Sequence, residues 1–136
     1  MSFLVDTDLL SILERKRVPS KLAGWVQRHE GEVFLSVVSF AELQFGLDQS
    51  SPTHKASLSA WLAEMRRKLA PATEELTEPV LVRWKQLLAD LKSKNRTMTC
   101  EASLIAATAL FHGHTVATHN PRHFEPAGVE VIDPLA

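Results

Sequence analysis

The sequence predicts a three-layer α/β/α domain with a central parallel sheet. Three short apolar runs, residues 3–5 (FLV), 33–37 (VFLSV) and 115–117 (TVA), are the first observation. Apolar on successive residues rather than alternating, they read as strands buried on both faces, as in a parallel sheet covered by helices. Second, stretches long enough for a helical crossover separate these runs, which right-handed parallel connections require. Third, several of those stretches carry apolar residues at helical spacing. With 136 residues, no internal repeat and no linker-like tract, residues 1–136 are read as one domain.

Taken in chain order, strand 3–5 leads into a helix over 7–15. Leu22, Trp25, Val26 and His29 then share a helical face behind Pro19, a residue that suits the first turn of a helix. The strand at 33–37 is followed by a helix over 39–48, and QSSPT at 49–53 reads as a turn. Leu58, Trp61, Leu62, Met65 and Leu69 line one face of the next helix, and Val80, Trp84, Leu87, Leu88 and Leu91 line that of the one after. A helix over 100–112 precedes the strand at 115–117, and residues 129–132 supply a fourth strand.

Composition narrows the function classes. A net charge of −1 argues against gripping nucleic acid through a general basic excess, yet the clusters at 14–17, 66–68 and 92–96 leave room for local contacts bordering an acidic centre. The default role of such clusters is a solvated helix end. Cys100 is the lone cysteine, so no internal disulfide forms, and a single thiol fits a reducing compartment. Its exposure of a thiol nucleophile is the minor alternative to packing or a helix start. An acid at position 6, with no basic lead or long apolar run before it, leads to the expectation of a cytoplasmic protein. No run approaches the roughly 18 apolar residues a membrane span needs, so no membrane association is expected.

In sheets of this kind ligands bind beyond the carboxyl ends of the strands. Asp6 stands there, directly after the first strand, where it is either a ligand or a helix cap shared with Thr7. Asp8 lies close by and reads as an acid favouring the positive end of the helix. Glu42 follows the second strand, although Ser39-x-x-Glu42 also has capping-box spacing. Two strand ends of one parallel sheet would bring Asp6 and Glu42 around one cavity. Clustered carboxylates suit Mg²⁺ or Mn²⁺, hard ions that activate water and neutralise a phosphodiester, so nucleic-acid hydrolysis is the chemistry expected. His112, His114, His119 and His123 raise a zinc site as an alternative, but their spacing is irregular and no cysteine accompanies them. FLVDTDLL also resembles the D-x-D start of haloacid-dehalogenase-like phosphatases, in which Asp6 would attack phosphate. The acidic pair in a glycine-rich loop that those enzymes need is absent from the C-terminal third.

Taken in order, VDTDLLSIL, LSVVSFAELQFGL, ASLIAATAL and VATHNPRHF resemble the PIN-domain ribonucleases, especially VapC-type toxins of toxin–antitoxin pairs. The LIAATAL helix followed by a strand and T-x-N is the most specific part. The resemblance implies an α/β/α PIN-like fold, Mg²⁺- or Mn²⁺-dependent cleavage of an RNA substrate, a cognate VapB-type antitoxin that blocks the site with an Arg or similar cation, and a homodimer. Asp6 matches the first family acid and Glu42 the second, both as metal ligands. Asn120 matches the fourth position, often Asp or Asn, and would orient water or ligand; Thr118 matches the small hydroxyl residue before it. The third acid falls at Ala102, where this chain has no carboxylate. Glu101 is adjacent, but one helical step turns a side chain by roughly 100°, so it is expected to point elsewhere. Ala102 thus implies a weakened or inactive nuclease, either a natural loss or a deliberate replacement of Asp. The competing function is a catalytically silent module that binds RNA or antitoxin.

Overall fold

The computed structural model describes all 136 residues, Met1–Ala136. Strands β1 (Phe3–Val5), β2 (Val33–Ser36), β3 (Thr73–Glu74), β4 (Thr115–Ala117) and β5 (Val131–Ile132) form one parallel sheet in the order β3-β2-β1-β4-β5. Because side chains alternate across a strand, β1 feeds two cores. Phe3 and Val5 pack with Leu9, Leu22, Trp25, Leu35 and Leu62 on one face, while Leu4 packs with Leu87, Ile105, Ala106, Val116 and Phe124 on the other. All three residues of β1 are buried, so its continuous apolar run has the physical cause inferred for it.

Helices α1 (Thr7–Leu13), α2 (Ser20–Arg28), α3 (Val37–Asp48) and α4 (Pro52–Leu69) contribute mainly to the first core, and α5 (Glu78–Ser93) and α6 (Cys100–His112) to the second. Trp84 of α5 donates from Nε1 to Ser103 Oγ of α6 at 2.8 Å, a polar link inside an otherwise apolar contact. The α6 helix ends on Gly113, whose left-handed φ of 74° and backbone N–H, donated to Ala109 O, close the last turn. No helix is long and apolar enough to cross a membrane.

Three local readings change. The second strand stops at Ser36 and α3 begins at Val37, because the Ser36 hydroxyl accepts the Val38 N–H at 3.0 Å and caps the helix. Ser39 is therefore inside α3 and fully buried, and the capping-box account of Ser39 and Glu42 fails. Pro19 stands just before α2 rather than in its first turn. The edge strand β3 has no apolar run to betray it: Thr73 and Glu74 are polar and half-buried, and pairing with Leu35 and Ser36 alone makes them a strand.

The histidines disperse. His112 and His114 meet the two oxygens of Glu74, at 3.2 and 2.9 Å, with His114 stacked on Phe34. His119 faces Asp133 at 3.2 Å, and His123 lies in the acidic cavity described next.

Candidate active site

The chain winds outward from β1 in both directions: β2 and β3 lie to one side, β4 and β5 to the other. Strand order therefore reverses between β1 and β4, and loops leaving the carboxyl ends of those two strands diverge and leave a crevice. A cavity of about 400 Å³ occupies it, lined by Asp6, Asp8, Glu42, Glu101, Ala102 and Asn120 among others. A larger cleft of about 700 Å³, lined by Phe40, Phe45 and Ala70, holds none of these residues.

Asp6 is the N-cap of α1, and its two oxygens are used differently. Oδ1 accepts the Thr7 N–H at 2.8 Å, while Oδ2 accepts the Thr118 hydroxyl at 2.9 Å. Capping and site membership, competing accounts in the sequence, are thus held together by one residue. Asp8, one helical position beyond Thr7, accepts Asn120 Nδ2 at 2.7 Å and the His119 N–H at 3.2 Å. The Thr118 hydroxyl lies 3.3 Å from the same carboxylate and also accepts the Asn120 N–H at 3.0 Å. Asp8 consequently fastens the loop after β4 to the start of α1, a role its reading as a helix-end acid missed. Its i, i+2 spacing from Asp6 across a cap is the signal that could have found it.

Glu42 enters from α3. Its Oε1 accepts the Thr7 hydroxyl at 2.7 Å, and that hydroxyl lies 2.9 Å from Ser39 Oγ. Thr7 therefore bridges the two carboxylates: its backbone N–H holds Asp6 and its side chain holds Glu42. Ala102 occupies the first turn of α6, donating its N–H to the capping Thr99 hydroxyl at 3.1 Å, and its methyl contributes to the cavity wall. Glu101, its neighbour in the same turn, is exposed and also lines this cavity.

Electrostatically the cavity is one-sided. Asp6, Asp8, Glu42 and Glu101 face it, with His123 but no Lys or Arg in its lining. Burial, reinforced by the Asp8 charge, raises the Asp6 pKa from 3.8 to about 7 against the opposing bonds from Thr118 and Thr7. Hard oxygen donors, a carboxamide and an uncompensated negative charge form a donor set suited to Mg²⁺ or Mn²⁺, which are held by one or two carboxylates plus water. No three Asp, Glu, His or Cys side chains converge as a ready chelate, so the donors fit the ion in kind but fall short of a full set.

A stability prediction arises here. The native protein retains the Asp6 proton up to about pH 7, whereas the unfolded chain releases it near 3.8. The unfolded state then binds fewer protons, so metal-free stability falls as pH rises across that window and is regained below it. Asp6→Asn is expected to remove this slope and raise stability at pH 8 by on the order of 2 kcal/mol. Denaturant titrations from pH 4 to 8 check it, and a parallel slope in both proteins would count against the assigned titration.

A family model described as PIN domain matches residues 3–129. Ribonuclease VapC1 of Rickettsia felis is 29% identical over 133 residues, covering 97% of this chain and 96% of that protein. VapC ribonuclease Y4jK of Sinorhizobium fredii is 28% identical over 136 residues, with 96% of each covered. The crystal structure of FitAcB from Neisseria gonorrhoeae superposes with a TM-score of 0.89 at 27% identity, covering 98% of both chains.

Proposed function

The chain belongs to the PIN-domain family and closely resembles VapC-type toxins; from that premise we propose that it is a metal-dependent endoribonuclease toxin, weakened by alanine at position 102. The observation that carries the reading is the meeting of Asp6, Asp8, Glu42 and Asn120 at the strand-order reversal, in a cavity lined by no Lys or Arg. Asp6 and Glu42 are the residues to hold Mg²⁺ or Mn²⁺. When bound, such an ion lowers the pKa of water and neutralises charge on a phosphodiester.

The protein's own groups supply orientation. Thr7 holds one oxygen each of Asp6 and Glu42, and Thr118 holds the other oxygen of Asp6. Asn120 commits Nδ2 to Asp8, which leaves its carbonyl oxygen to accept a hydrogen bond from water or an RNA hydroxyl. Arg122, exposed in the adjoining pocket next to Ala102 and His123, is placed to meet a phosphate of the same strand.

The same one-sided charge suits inhibition. A cognate VapB-type antitoxin presenting an Arg would form charge-assisted hydrogen bonds to Asp6 and Asp8 and so compete with metal and RNA. Action in the cytoplasm as a homodimer completes the reading that the VapC resemblance implies. A silent RNA- or antitoxin-binding module is the second reading, favoured by the missing carboxylate at Ala102 and the lack of a ready chelate. The phosphatase reading has no lysine in the cavity to support it.

Incubating the purified protein with a mixed RNA pool, with Mn²⁺ and then with chelator, tests the proposal. Slow cleavage that Mn²⁺ stimulates and chelator abolishes is expected. RNA binding without cleavage at any metal concentration would favour the silent module.

A further inference from the structure

We propose that Glu101 supplies the carboxylate that Ala102 lacks, so that the third acid of the site has moved one residue along α6 rather than vanished. The inference rests on the nuclease reading and concerns how that site is completed.

Helical geometry alone argues against it, since neighbouring residues diverge by roughly 100°. What favours it is position. Both residues lie in the first turn of α6, just after the Thr99 cap, where the helix end forms one wall of the cavity instead of running past it. Glu101 and Ala102 consequently line the same space as Asp6 and Glu42. Glutamate also has one more methylene than aspartate, which extends its reach. The small Ala102 methyl leaves the adjoining volume open. Glu101 is exposed and takes part in no salt bridge, so no partner has to be broken for its side chain to swing inward.

The acids do not converge on a chelating point in this structure. Four carboxylates, Asp6, Asp8, Glu42 and Glu101, share this cavity with no Lys or Arg in its lining, and like charges keep apart when no cation lies between them. With a divalent cation present, Asp6, Glu42 and Glu101 would be the carboxylates to hold it. The competing explanation is a solvated acid that interacts favourably with the α6 N-terminus.

Mn²⁺ binding by titration calorimetry, read beside thermal melts, separates the two roles. Glu101→Gln retains side-chain size and helix position while removing the charge. It is expected to weaken Mn²⁺ affinity by about tenfold or more, with little change in the metal-free melt. Adding Ala102→Asp to Glu101→Gln is expected to restore binding, because the carboxylate returns from the neighbouring position. Wild-type affinity in Glu101→Gln, with Asp6→Ala still losing the ion, would overturn the inference and leave the nuclease reading intact. Failure of the wild-type protein to bind Mn²⁺ would overturn both.

Discussion

In the Glu101→Gln background, replacing Ala102 by Asp is expected to raise Mn²⁺-dependent RNA cleavage by about a hundredfold, the upper end of what groups around a bound metal contribute. The side chain would grow from a position that already forms part of the cavity wall, so the new carboxylate needs no backbone movement to face Asp6 and Glu42. Its place in the first turn of α6 favours a negative charge, which offsets the lower helix propensity of Asp. The cost falls on the metal-free protein, because another acid joins a cavity in which Asp6 already resists ionisation. Single-turnover cleavage across a Mn²⁺ series checks the effect, together with melts in chelator and in metal. A rate equal to that of the parent at saturating Mn²⁺ would sink the missing-ligand account of position 102. A gain confined to low Mn²⁺ would show that the carboxylate tightens binding without improving the chemical step.

Asp6→Ala is expected to abolish measurable Mn²⁺ binding while retaining a cooperative melt. Two effects on folding oppose one another. The N-cap bond to Thr7 and the Thr118 contact are lost, and a lost cap costs about 1 kcal/mol. At neutral pH, however, removing a buried acid held beside Asp8 relieves a penalty of comparable size. Calorimetric titration with Mn²⁺ and a circular-dichroism melt on the same preparation read the two consequences separately. Loss of the cooperative transition would make Asp6 chiefly a structural cap.

Much of the architecture was legible because burial writes locally. The FLV and TVA runs are apolar on every residue or nearly so because both faces of β1 and β4 are covered. The apolar faces at Leu58, Leu62, Val80, Leu87 and Leu91 likewise correspond to buried residues of α4 and α5. Where no such constraint acts, pattern misled or fell silent. Thr73 and Glu74 form an edge strand that only pairing defines, and the Ser39-x-x-Glu42 spacing imitated a cap that Ser36 makes.

The candidate site divides along the same line. By itself the sequence determined four of the five strands and the helical faces, the positions of Asp6 and Glu42 after two buried strands, the resemblance to a family of nucleases and the alanine where that family has an acid. Tertiary structure alone decided the rest. Asp8 joins the site because the loop after β4 returns beside β1, bringing Thr118, His119 and Asn120 onto its carboxylate across more than a hundred residues of chain. Glu101 lines the cavity because the end of α6 forms its wall, a fact that no angle measured along one helix contains. Local patterns record which side chains leave water, whereas convergence depends on sheet order and helix placement, which long-range packing sets.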